Sequence, residues 1–336
     1  MSRRSCAPTR RTLLLAALAL PAAGCSVRLE RDAPPIPGVP TADPPADAAV
    51  LQQTISRLRS LAVALDGAEP LAWTAPLRSL HSDQADVLTR LAASAGITVT
   101  QAASPTSTAS PSSTQTPTST TAASTGATSS SLKASGSTST ATSSPSPTLP
   151  PSAQWEVDEF TLARVQEVVG ATARHRPALL AVLAGHRAGA RLLGNPGPPA
   201  VTGLAGADAV TVLMAVRTAI HAGEVLVAKT AFKERSPLSS LLGVLYAERM
   251  RLGREAGSLA SAEQLTYALP PGSDDPARAK EVMAPLLVAC ARATASTSAR
   301  WTTPASATRG VQLWGDFTAL AWQWGSEPDT FLGLKQ

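Results

Sequence analysis

From residue 47 onward, outside one Ser/Thr/Pro-rich stretch, apolar residues in this chain recur at intervals of three and four, the spacing that gathers them on one face of an α-helix. Leu51, Ile55, Leu58, Ala62 and Leu65 form one such stripe, and Leu77, Leu80, Val87, Leu88 and Leu91 form a second after the breaker from Gly67 to Pro70. Leu162, Val165 and Val169 begin a third. Leu179, Leu180, Leu183, Leu192 and Leu193 give a fourth, which Asn195-Pro-Gly-Pro-Pro199 stops. The pattern then repeats. Ala209, Leu213, Val216, Ile220 and Val227 are followed by Leu238, Leu241, Leu245 and Leu252, by a stripe through Val282, Met283, Leu286, Leu287 and Cys290, and by Trp314, Phe317, Ala321 and Trp324. Asp274 or Asp275 can cap a helix opening at Pro276, and Pro285 is expected to kink or interrupt it. No segment alternates with period two, so the chain reads as all-α.

Two stretches fall outside this pattern. Residues 25–46 are rich in Pro, Ala and Asp and read as a tether. Residues 98–152 are almost wholly Ser, Thr, Ala and Pro and cannot bury enough apolar surface to offset their conformational entropy, so disorder is expected there. The expected organisation is therefore two tandem four-helix bundles. The first spans 47–97 and 153–195 around the Ser/Thr/Pro-rich insertion, and the second spans 207–326. In each, the longest connection joins the second helix to the third, as a bundle with one long crossover requires.

At the N-terminus Arg3, Arg4, Arg10 and Arg11 precede the apolar run Leu13 to Leu20, the charged and apolar regions of an export signal over residues 1–24. The run is about half the roughly 20 residues that a membrane span needs. Ala22, Ala23 and Gly24 followed by Cys25 resemble the lipoprotein box of bacteria. That resemblance implies diacylglycerol on the Cys25 thiol, cleavage before it, and further acylation by chains such as palmitate. The mature protein would then be held to the extracytoplasmic face of the cell membrane, where more than one acyl chain makes anchoring stable. Thr9-Arg10-Arg11-Thr12-Leu13-Leu14 also resembles a twin-arginine export signal. Paired arginines occur in ordinary signals too, and the sequence leaves both routes open.

Loss of the four signal arginines takes the formal charge from +5 to +1. The pI of about 9.5 is thus mostly a property of the signal. With no basic block carrying interleaved aromatics, nucleic-acid binding is not expected. Of the three cysteines, Cys6 leaves with the signal and Cys25 carries lipid; Cys290, on an apolar stripe, reads as a buried inert thiol.

The C-terminal half resembles a ferritin-like domain of unknown function found in exported proteins of high-GC actinobacteria. The resemblance rests on Val212-Leu-Met-Ala-Val-Arg-Thr-Ala-Ile-His-Ala-Gly-Glu224, on Leu245-Tyr-Ala-Glu-Arg-Met-Arg251 and on Leu265-Thr-Tyr-Ala-Leu-Pro270. It implies a ferritin-like four-helix bundle. Iron-handling ferritin-like proteins need a Glu on each of two helices and Glu-x-x-His on each of the others. None of His81, His175, His186 and His221 has a Glu three residues before it, so no cofactor is expected. His221 with Glu224 and Glu248, joined by Glu234 or Glu255, are the nearest approach to a metal cluster. They read more simply as polar residues at the flank of a bundle, hydrogen-bonded to each other or to Tyr246. His81 with Asp83 and Asp86 reads as a solvated face, and Trp322, off the apolar stripe, as exposed.

No phosphate loop, nucleophile elbow or Cys-x-x-Cys pair is present. No catalytic residue is assigned, and the function expected is a lipid-anchored envelope or interaction module, with a partner in the envelope left open. The alternative is a metal-binding or redox ferritin-like protein built on His221, Glu224 and Glu248.

Overall fold

The computed structural model describes residues 45–99, 149–264 and 266–334. The export signal, Cys25, Arg10, Arg11 and most of the Ser/Thr/Pro-rich insertion lie outside the described residues. Among the described residues the regular structure is helical: α1 (Ala48–Asp66), α2 (Thr74–Ser94), α3 (Pro151–Glu159), α4 (Leu162–Val169), α5 (Arg176–Leu192), α6 (Gly206–Lys229), α7 (Ser236–Ala256), α8 (Ala279–Ala295) and α9 (Pro304–Gln323). The second range thus holds the four expected helices. The first holds five.

Helix starts follow local chemistry. Thr161 accepts from the Arg164 amide at the head of α4, and Thr303 forms a reciprocal capping box with Ser306 ahead of Pro304 at the head of α9. Asp275 accepts from the Ala277 amide at 3.0 Å, and a single 3-10 turn at Pro276–Arg278 then leads into α8. Of the two outcomes expected at Pro285, interruption does not occur: α8 runs continuously through it. Proline frees the carbonyl four residues earlier, that of Glu281, and both residues lie on the exposed side where water can satisfy it. In α4, Val165 and Val168 are buried while Leu162 is exposed.

Helices α1 and α2 pack as a pair, as do α6 and α7; α6 also lies on α8. The central elements are α5 and α9, which pack on each other. Both are buried around most of their circumference, as a helix enclosed by others must be. Glycine makes their approach close. A Cβ at Gly315 of α9 would stand 2.6 Å from the Arg187 Cβ and 2.7 Å from the Ala184 carbonyl oxygen of α5. One apolar cluster runs from Leu51, Ile55 and Leu58 of α1 through Leu179 and Leu180 of α5 to Leu213, Leu245, Leu287 and Trp314, so the core continues across the connection between the two ranges. The described residues belong to one compact unit.

Trp322 is buried and stacks on Trp73, with ring centroids 6.5 Å apart. Its exposure, expected from its place off the stripe, fails because α9 is covered on more than one side. Residues after α9 fold back: Phe331 and Leu332 are buried, and the Leu332 carbonyl accepts from the Trp314 indole at 2.8 Å. By length and composition, α6 and the segment Pro276–Arg300 are apolar enough to cross a membrane. About half of each apolar window is buried within the protein, 50% and 56%.

Candidate functional site

Three helices bring two imidazoles and a carboxylate together inside the protein. On α2 the buried face runs Leu77, Leu80, His81, Gln84, Ala85 and Leu88, so His81 occupies a core position, while Asp83 and Asp86 point to solvent. The solvated face read from the sequence therefore includes the two aspartates but not the histidine. On α3 the buried face is Ser152, Ala153 and Glu156, and on α5 His186 sits among buried residues. Exposures are 0% for His81, 0% for Glu156 and 2% for His186.

Glu156 lies between the histidines. Its Oε1 is 2.8 Å from His81 Nε2 and its Oε2 is 2.7 Å from His186 Nδ1. The imidazole rings stack, with centroids 4.9 Å apart and planes 27° from parallel. On the far side of His81, Nδ1 is 3.3 Å from Gln84 Oε1, and Gln84 Nε2 donates to the Thr330 carbonyl at 3.0 Å. Two glycines one turn apart on α5 make room. A Cβ at Gly189 would lie 2.8 Å from Glu156 Cδ, and one at Gly185 would lie 3.0 Å from Gln84 Nε2.

Burial alone would raise the Glu156 carboxyl, but the charge of His81 and hydrogen bonds from His186 and His81 hold it down to about 2. Burial alone would lower His81. The adjoining Glu156 carboxylate prevails and raises it. A charged carboxylate at this depth is tolerated because each oxygen has a partner.

The residues singled out in the C-terminal half are spread over separate interactions. Glu224 accepts from the Tyr246 hydroxyl at 2.7 Å, as the sequence allowed, and burial together with that acceptor pushes the Tyr246 phenol up to about 12. His221 lies against the Tyr267 ring, at 5.7 Å between centroids. Glu248 accepts from Arg309 at 2.8 Å and also pairs with Arg251; Glu255 takes the other side of the Arg309 guanidinium and accepts from the Gly203 amide at 2.9 Å. Arg309 is 1% exposed and ties α7 to α9. Glu234 is exposed. Cys290 is buried, and burial pushes its thiol up to about 12, so the inert reading holds.

Among the described residues, His81, Glu156 and His186 are the group whose three potential ligand atoms all lie within 4.8 Å of one another. Sequence reading missed this group because its members stand on three helices and share no local motif. Glu156 lies on a nine-residue helix beginning at Pro151, where the low-complexity tract hides the pattern.

A second feature is an open cleft between α7 and α9. One lobe, of about 710 Å³, is lined by Leu238, Leu241 and Val244, by Leu320 and Trp324, and by the polar groups of Thr230, Gln323 and Lys280. An adjoining lobe of about 660 Å³ lies along Gly243, Ala247 and Phe317, and shares Arg191, Ser240, Val244 and Leu320 with the first. Arg187 and Arg191 at this lobe both bind Asp316, at 2.8 and 3.2 Å. Comparison of the chain with protein-family models, curated proteins and solved structures finds no match.

Proposed function

We propose that this protein is a lipid-anchored helical module on the extracytoplasmic face of the cell membrane, with a ferritin-like four-helix group formed by α6 to α9, and that it works by holding an apolar ligand in the cleft between α7 and α9. The anchor rests on the sequence Ala22-Ala-Gly-Cys25 behind an arginine-led apolar run. The long connection between α7 and α8, the second and third helices of the C-terminal range, supports the ferritin-like topology.

The observation that carries the binding role is the cleft itself. Each lobe has the volume of a small-molecule site; the first is walled mainly by aliphatic side chains and Trp324, the composition that holds an apolar body, and the second also carries Arg187, Arg191, Glu248, Arg251 and Asp316, charged groups that can orient one end of it. Val244 borders both lobes. The test is titration of the full chain with the apolar dye 1-anilinonaphthalene-8-sulfonate. Saturable binding at one or two dyes per chain is expected in the wild type, with at least a tenfold loss of affinity in Val244→Trp at unchanged helical circular dichroism. Equal binding by wild type and variant would reject the cleft as the site.

A further inference from the structure

We infer that His81, Glu156 and His186 form a binding site for one divalent first-row transition metal ion. The inference is independent of the cleft, and none of the three residues lines it.

Donor chemistry is the first support. Two neutral imidazole nitrogens and one carboxylate suit zinc and its neighbours, and a single carboxylate offsets half the ion's charge. One potential ligand atom from each residue lies within 4.8 Å of the other two. A four-coordinate ion with ligands at about 2.0 to 2.1 Å needs about 3.3 Å between ligand atoms. The 2.8 and 2.7 Å contacts run from the two imidazoles to different oxygens of Glu156, so side-chain torsions have to bring both nitrogens and a carboxylate oxygen round a common centre.

The second support comes from the far side of His81. The Thr330 carbonyl only accepts, so the Gln84 amide must turn its NH2 toward it and its oxygen toward His81. That oxygen calls for a proton on His81 Nδ1. His81 Nε2 is then the nitrogen whose lone pair is free for an ion whenever it carries no proton of its own, and it faces Glu156. A ligating histidine whose other nitrogen donates to a fixed oxygen is the arrangement that orients metal ligands in general. Here the orienting amide is itself fixed by the chain after α9. Gly189 and Gly185 keep α5 bare where the carboxylate and the amide must lie.

The arrangement differs from the cluster sought in the sequence, which needed Glu and His one turn apart on one helix. Here each helix gives one ligand.

The test is metal content of the full chain in detergent, stripped with chelator, loaded with zinc and dialysed, with thermal melting alongside. One zinc per chain and a zinc-dependent rise in Tm are expected. Both should be lost in His186→Ala and in the near-isosteric Glu156→Gln, with helical circular dichroism kept. Gln84→Leu should weaken zinc about tenfold to a hundredfold, and His221→Ala should leave it unchanged. Cobalt(II) in place of zinc should give the visible absorption of a four-coordinate ion. Wild type that holds no more zinc than a chelated control would overturn the inference. So would zinc retained by the folded Glu156→Gln and His186→Ala chains, or zinc lost in His221→Ala.

Discussion

At Gly189 a single hydrogen replaces any side chain because the Glu156 carboxyl group occupies the space. Gly189→Ala should push that carboxylate from between its two histidines and destabilise the protein by about 1 to 3 kcal/mol, the usual range for overpacking a filled core. Gly253 on α7 meets nothing within 4 Å and is the control. Gly253→Ala should stabilise by about 0.5 to 1 kcal/mol, from backbone entropy alone. Chemical denaturation of both variants checks the pair, and a similar effect of either sign would contradict the packing described. Asp47 gives a pH signature at the same scale. Burial by itself would raise its carboxyl, but the Thr172 hydroxyl and amide, and then His175 at 2.6 Å from Oδ2, hold it below the ordinary value. Its folded pKa is depressed, so its contribution is fully present above the unfolded value of about 3.9 and fades as pH falls through the lower folded value. Acid unfolding of Asp47→Asn should accordingly lose part of its slope below about pH 4, and an unchanged slope would reject the assignment.

Among the helices, α9 carries the most. It meets α5 through Gly315, α7 through Arg309 and the turn before it through Gly310, where a Cβ would stand 2.4 Å from the Trp301 ring. Arg309→Ala would leave Glu248 and Glu255 without their shared cation in a buried setting, and a loss of about 3 to 5 kcal/mol is expected, read by denaturant titration. A loss below about 1 kcal/mol, the level of an exposed pair, would mean that water reaches the site. Helix existence was legible in the sequence because burial on one face leaves a three-and-four repeat, which Leu51 to Leu65 and Leu77 to Leu91 display plainly. It failed for α3, whose buried face is Ser152, Ala153 and Glu156, with no large apolar residue to mark it. Trp322 was misjudged for the opposite reason: a helix enclosed on several sides has no polar face to contrast with its apolar one. His81, Glu156 and His186 are 75 and 30 residues apart along the chain, and only packing brings them together.

For the whole molecule the described residues form one body whose core passes through α5 and α9, with the proposed metal site on one side of α5 and the cleft along α9. The proposed anchor stands ahead of α1 in the sequence, separated from it by a Pro- and Ala-rich tether, so that anchoring and binding are properties of different parts of the chain. Cys25→Ser should therefore leave dye and zinc binding unchanged. The central claim is that this body is held at a membrane by lipid on Cys25, and the most direct measurement is fractionation of cells producing the wild type or Cys25→Ser, with mass spectrometry of the mature N-terminus. The account predicts a membrane-bound wild type beginning at diacylglycerol-modified Cys25, and a Cys25→Ser chain without lipid that is either released or left with its signal uncut. An unmodified Cys25 in the wild type, or a variant with its signal removed that stays on the membrane as fully as the wild type, would contradict it.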